Sequence, residues 1–351
     1  PVPLSGSVHF DVQPSGISGD IDVDTVVAFE QDTGVFTLDD FSMKGLAEGL
    51  VDAPTRMSFE TDSIEIRSAE NVASVGTVSI SLLDLDITAD VEPFSYANEI
   101  EPIAQIRVDA FSPRSLMHLF DVEAPETADP VVLSRLLVDA DVKVGEAAIQ
   151  LTNVNIKFDD TTFTGSLAVP RSSTGSYRVD LVGNAIDLNR YMEPAAEGAS
   201  DDGADSAPTE LPSDLIKPLN ARGSLKMTSV VLGDLELDQV SLTLNAANGR
   251  LRIHPITAGL YGGSYSGDVR IDVAESEPVL AFDEKVQGVD LAALARAMFE
   301  QENITGSLNG NYTLTGRGND LDKIQRSLSG SMSFELKDGT YEGVDVWYEL
   351  R

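Results

Sequence analysis

Apolar and polar residues alternate with a period of two along most of the chain, the spacing of a strand with one face toward an apolar interior and the other toward water. The pattern runs through Val8-His-Phe10-Asp-Val12, Ile64-Glu-Ile66 and Val78-Ser-Ile80-Ser-Leu82. It returns in Leu225-Lys-Met227, Val240-Ser-Leu242-Thr-Leu244, Val269-Arg-Ile271-Asp-Val273, Leu280-Ala-Phe282, Tyr312-Thr-Leu314 and Met332-Ser-Phe334-Glu-Leu336. Turn residues separate these runs, as in Ala247-Asn-Gly249, Gly262-Gly263 and Lys337-Asp-Gly339. They are hairpin signals, so neighbouring strands pair mostly antiparallel.

Four segments break the alternation and carry helix caps. Ser112-Pro113 opens a helix over 114–120, Asp129-Pro130 one over 131–137, Asp290 one over 291–299 and Asp320 one over 321–328. In each, a side-chain oxygen stands where the first turn has unpaired amides. The predicted fold is therefore mainly β: an elongated, twisted, largely antiparallel sheet curled into a groove or open barrel, with a few short helices between strand runs.

Three segments share one pattern: Phe36-Thr-Leu38-Asp-Asp40-Phe41-Ser-Met43, Ile149-Gln-Leu151-Thr-Asn153-Val154-Asn-Ile156 and Leu235-Glu-Leu237-Asp-Gln239-Val240-Ser-Leu242. Each has two apolar positions spaced by two, a step of three, and two more spaced by two. A step of three turns the later residues to the other face unless a bulge or a tight turn intervenes. Between Glu193 and Glu210 the apolar side chains, proline apart, are alanines mixed with Gly, Ser and acids, which predicts a flexible acidic linker. The expected organisation is a β segment over 1–110, a β segment with short helices over 111–192, the linker over 193–210 and a second β segment over 211–351.

With 24 Lys and Arg against 58 Asp and Glu, the formal net charge is −34. Such a surface repels phosphate backbones, and no basic cluster interrupts it, which excludes nucleic acid as a partner. Cysteine is absent, so disulfides, thiolate metal sites and cysteine nucleophiles are excluded. No run approaches the ~18 apolar residues of a membrane-spanning helix. The opening Pro1-Val2-Pro3 has no signal-peptide pattern, and the expectation is a piece of a longer protein.

No constellation for catalysis stands out, and the expectation is a non-enzymatic protein with no cofactor and no metal. His9, His118 and His254 are far apart and outside any metal motif. Gly262-Gly-Ser-Tyr-Ser-Gly267 lacks the spacing of a nucleophile elbow and sits between strand runs, where a hairpin or bulge explains it. Asp20-Ile-Asp22-Val-Asp24 and Asp84-Leu-Asp86 put carboxylates on one strand face without the glycine and glutamate of a calcium loop, which fits a solvated outer face. What remains is architectural. A long sheet with one apolar face must cover that face, and the periodicity leaves open a filled core or a groove for acyl chains.

Specific wording narrows this. The stretch Ala128-Asp-Pro-Val-Val-Leu-Ser-Arg135, then residues 151–168 and Ile186-Asp-Leu-Asn-Arg-Tyr191, resemble the AsmA family. So do Leu219-Asn-Ala-Arg-Gly-Ser-Leu225, Leu260-Tyr-Gly-Gly-Ser-Tyr-Ser-Gly267, Thr315-Gly-Arg-Gly-Asn319 and Leu328-Ser-Gly-Ser-Met-Ser-Phe334, so that about residues 110–351 follow the family in register. The resemblance implies a Gram-negative envelope protein held in the inner membrane by an N-terminal helix absent from this sequence, with its body in the periplasm. It further implies a role in outer-membrane biogenesis, with phospholipid or lipopolysaccharide acyl chains as partners in a β-groove. The rival is a scaffold with a closed, dry core that contacts other envelope proteins. No catalytic residue carries over. The predicted groove lining is one phase of the strands: Val8, Phe10, Ile64, Ile66, Ile149, Leu151, Leu225, Met227, Leu242, Leu244, Leu280, Phe282, Tyr312 and Leu314.

Overall fold

The computed structural model describes residues 1–341 apart from Pro14, Asn98, Glu99, residues 195–210, Glu300 and Glu302. Most of the expected linker, from residue 195 onward, lies outside the described residues. The chain divides into two units, Pro1–Glu126 with Pro130–Gly175, and Thr127–Asp129 with Ser176–Arg351.

The first unit holds β1 (Val2–Val12), β2 (Ile17–Glu30), β3 (Val35–Glu48), β4 (Thr55–Arg67), β5 (Val72–Val75), β6 (Val78–Leu82), β7 (Leu85–Val91), β8 (Phe94–Ser95), β9 (Ile103–Phe111), α1 (Pro113–Leu119), β10 (Leu136–Val144), β11 (Ala148–Phe158) and β12 (Thr161–Pro170). Its main ladder runs β1-β2-β3-β4-β6-β7-β9-β10-β11-β12, antiparallel at every step. A side branch pairs β4 with β5 and β5 with β8.

The second unit holds β13 (Tyr177–Asp187), a 3-10 turn (Leu188–Tyr191), α2 (Ser213–Ile216), β14 (Ala221–Leu232), β15 (Leu235–Ala247), β16 (Arg250–Leu260), β17 (Gly263–Asp272), β18 (Val279–Asp290), α3 (Leu291–Phe299), β19 (Ile304–Arg317), α4 (Leu321–Ser327) and β20 (Ser329–Tyr341). These strands pair in chain order, all antiparallel except β13 with β14. A parallel pair needs a long crossover, which the chain between Asp187 and Ala221 supplies. The fold is thus mostly β with a few short helices, and the sheet does not close into a barrel.

The step of three proves to be a bulge in all three copies. Asp40, Asn153 and Gln239 each have positive φ, at 51°, 49° and 48°. At each, the partner strand advances one residue fewer, between Asp24 and Val26, between Gly165 and Leu167, and between Thr257 and Gly259. The extra residue absorbs the flip, so both halves of the motif keep their apolar side chains on one face, and the strand gains twist there. Asn248-Gly249 forms the expected hairpin turn with φ of 53° and 72°. Lys337-Asp-Gly339, expected as a hairpin, lies inside β20 instead. Asp338, at φ 52°, is a bulge opposite Gly306, and pairing with β19 continues to Tyr341.

Three of the four expected helices form. The Ser112 hydroxyl accepts from the Ser115 amide, Asp290 from Ala292 and Ala293, and Asp320 from Lys323. The segment 131–137 is not a helix. Asp129 turns its carboxylate to Arg190 Nε at 2.8 Å instead of capping, and Asp159 takes the amides of Leu133, Ser134 and Arg135. Those bonds hold an irregular turn that leads into β10.

Within each unit the described strand contacts follow the hydrogen-bonded ladder, with a few more between β5 and β7, and the helix contacts are those of α3 with β15, β18 and β19, of α4 with β19 and of the 3-10 turn with β14. Among the described residues the largest fully buried side chains are four valines, Val132, Val154, Val273 and Val289, and one glutamate, Glu284. Leu, Ile and Phe side chains of the central strands are mostly half-buried, whereas on β1 and β20 apolar side chains are open, with Val8 54% and Phe334 77% exposed. Half-burial within one layer requires that side chains converge on the inside of a curled sheet, as the bulges dictate.

Candidate functional site

Register partners share a face, so the apolar surface follows directly from strand pairing. In the first unit an unbroken apolar row crosses nine strands: Val23, Met43, Phe59, Ile80, Ile87, Val108, Val138, Ile156 and Phe163. Eight strand spacings make it about 38 Å long. Part of it forms a recess of about 320 Å³ walled by Met43, Met57, Phe59, Ile80 and Leu82. The rings of Phe41 and Phe59 meet edge to face there, 6.0 Å apart.

The second unit has the same construction. One row runs Leu181, Leu225, Leu242, Ile256, Gly267, Glu284, Tyr312, Met332. The adjacent row joins Leu244, Ile253, Val269, Phe282 and Leu314. Helices stand at the ends of the strands. From the end of β18, α3 packs with Ala295 buried, and from the end of β19, α4 places buried Ile324 beside Gly316. These two strands are antiparallel, so the two helices start at opposite ends of the rows.

All eight predicted lining residues of this unit, Leu225, Met227, Leu242, Leu244, Leu280, Phe282, Tyr312 and Leu314, fall on the one face. Met227 and Leu280 are buried and the other six half-buried. In the first unit the picks share the apolar face but lie far apart. Val8 and Phe10 are on edge strand β1, Ile64 and Ile66 on β4 beside Leu38 and Phe36, and Ile149 and Leu151 on β11 beside Val169 and Leu167. Sequence reasoning missed the central row from Val23 to Phe163, because only pairing register shows that those residues are neighbours. It also missed Glu284, although an acid between in-phase Phe282 and Val286 is a visible signal.

The opposite face carries the charge. Asp20, Asp22 and Asp24 are exposed there, with Asp20 beside His9 at 3.0 Å and Asp22 accepting from Ser7. Arg222, Arg252 and Arg270 lie on one outer row. Asp268, 7% exposed, accepts from Arg252 Nε and Nη2 at 3.0 and 2.7 Å and from Arg270 Nη2 at 2.6 Å. The Arg252 bonds, with those of Arg270, hold its carboxyl well below the usual range against the opposing effect of burial.

Glu284 is the exception on the apolar face. Only 2% exposed, it accepts a short hydrogen bond from the Tyr265 hydroxyl. Gly267 makes room for it, since a Cβ there would fall within the van der Waals radius of Glu284 Oε2. Burial pushes the carboxyl above its ordinary range, the Tyr265 bond opposing. Burial likewise raises Tyr265 and Tyr312, each further raised by the nearby Glu284.

Among the described residues no group of three or more His, Asp or Glu side chains is placed to hold a metal ion, and no helix is long and apolar enough to cross a membrane. A family model described as the AsmA family matches residues 112–351, more than half of the chain. No match was found among curated proteins or among solved structures.

Proposed function

The chain belongs to the AsmA family, and from that premise we propose that it is a non-enzymatic envelope protein whose open apolar sheet face carries the acyl chains of phospholipid or lipopolysaccharide during outer-membrane biogenesis. In this reading its body lies in the periplasm and the full-length protein is anchored in the inner membrane. One observation supports it above the rest: each unit presents a continuous apolar face whose large side chains are half-buried where a closed core would hide them. Water against so much apolar surface is unfavourable, at about 25 cal/mol per Å². An acyl chain laid across the strands removes that surface from water and needs no hydrogen bonds in return.

The arrangement also suits movement. The row from Val23 to Phe163 offers apolar contacts at each strand, about 4.8 Å apart, without a polar step between them. A chain sliding across them exchanges like contacts for like. Purification of the chain from a bacterial envelope, followed by native mass spectrometry and lipid extraction, tests the proposal. Phospholipid at defined stoichiometry supports it; an apo mass under conditions that preserve lipid adducts counts against it and favours a scaffold.

A further inference from the structure

The second unit departs from pure apolar lining at one place. Along β18, Glu284 is flanked by Phe282 and Val286; across the ladder it faces Gly267 and Tyr312, with Val269 and Leu314 on the neighbouring row. A carboxyl buried this deeply is costly unless something compensates it. The cations of β17, β18 and β19 do not, since Arg270, Lys285 and Arg317 all stand on the opposite face. Tyr265 supplies one hydrogen bond to Oε2. Among the described residues Oε1 accepts none, and the hydroxyl of Tyr312, directly opposite, has no partner either. Gly267 completes the arrangement by clearing the volume into which the carboxyl leans.

Resting on the acyl-carrying reading above, we propose that Glu284 and Tyr312 form a polar subsite on this face that holds a hydroxyl carried within the bound acyl chain. The surroundings select this chemistry. From Glu284 the row continues two strand spacings to β20 and five to β13, about 10 and 24 Å, through Tyr312 and Met332 on one side and through Ile256, Leu242, Leu225 and Leu181 on the other. A polar group resting here has hydrocarbon to either side of it. An interior hydroxyl meets that condition, donating to Oε1 and accepting from Tyr312, so both open valences are satisfied at once. An anionic head group does not, because it would face a carboxyl here while the cations of the neighbouring strands stand on the other face. The direction in which burial moves the Glu284 carboxyl, toward the neutral acid, agrees with a neutral ligand.

Displacement of a fluorescent fatty acid from the purified chain by ricinoleate and by oleate, which differ by one mid-chain hydroxyl, tests the assignment. Ricinoleate is expected to compete at about fivefold lower concentration, the size of one net hydrogen bond. Glu284→Leu brings the ratio to about one, and Tyr312→Phe lowers it. Circular dichroism checks each fold, and if Glu284→Leu fails to fold, the conservative Tyr312→Phe carries the test. Equal competition in the unaltered chain, or a ratio that survives in the folded variants, overturns this subsite and leaves the acyl-carrying face standing. Binding of neither acid, nor of the fluorescent probe, overturns the acyl-carrying reading itself.

Discussion

Gly267→Ala is a severe change for one methyl group. An ideal Cβ at this position falls within the van der Waals radius of Glu284 Oε2 and lies 2.7 Å from the Tyr265 hydroxyl. The residue is buried in the middle of β17 and paired on both sides, to Ile256 and to Glu284, so the backbone cannot retreat without breaking two ladders. Overpacking of this kind costs about 1–3 kcal/mol. The displaced carboxyl also loses its Tyr265 bond, about 1 kcal/mol more. The sum is about 2–4 kcal/mol, measured as a shift in urea midpoint at unchanged slope. In a Glu284→Ala background the carboxyl is gone and the nearest atom left to the new methyl is the Tyr265 hydroxyl, which can swing. The same substitution then costs less than about 1 kcal/mol, a coupling of at least ~1 kcal/mol between the two positions. Equal costs in both backgrounds, or a cost below ~0.5 kcal/mol in the unaltered protein, would refute the reasoning that Gly267 exists to seat Glu284.

Gln239→Gly removes a side chain from a positive-φ bulge position and is expected to stabilise by about 0.5–1 kcal/mol, whereas Gln239→Val destabilises by more than that; thermal melts separate the two. The Asp268 carboxyl is held low by Arg252 and Arg270, so its contribution is complete above the unfolded-state value near ~3.9 and is lost as pH falls below it. Asp268→Asn leaves those guanidinium groups facing each other, destabilises at pH 7 by about 1–3 kcal/mol, and flattens the acid limb of stability against pH; an acid limb identical to that of the unaltered chain would contradict this. Glu284 has the opposite sign. Its folded value is raised, so as pH climbs above ~4.3 the unfolded state releases its proton first and stability declines. Denaturant titrations from pH 4 to pH 8 should therefore show a gentler decline for Glu284→Gln than for the unaltered chain, and an equal decline would remove the buried-carboxyl argument.

Much of this architecture was legible in the sequence because a strand with one solvated face writes its period directly into side-chain polarity. Phe282 and Leu314 belong to one phase of the alternation, and the register sets them opposite each other. The step of three at Asp40, Asn153 and Gln239 signalled an irregularity in each copy, and the bulges supply the geometry that alternation could not choose between. Legibility failed where polarity does not encode the outcome. Asp129-Pro130 has the residues of a helix start, yet the carboxylate found Arg190, sixty-one positions away, and no local rule anticipates that competitor. Lys337-Asp-Gly339 has the residues of a turn and serves as a bulge because β19 offers Gly306 opposite it. The long row of the first unit was invisible for a related reason. Alternation tells which way a side chain faces but not which strand lies next to it, and β4 pairs with β5 along one half and with β6 along the other.

The central claim is that the apolar face, and not the charged one, meets lipid. Photo-crosslinking reads this residue by residue, with benzoyl-phenylalanine placed in turn at Phe59, Ile80, Leu242 and Phe282 on the apolar face and at the adjacent Glu60, Ser81, Thr243 and Asp283 on the other. Irradiation in the bacterial envelope, followed by mass spectrometry of the purified chain, is expected to give lipid adducts at the first four positions and none at the second four. Adducts distributed without regard to face, or confined to the charged face, would contradict the account.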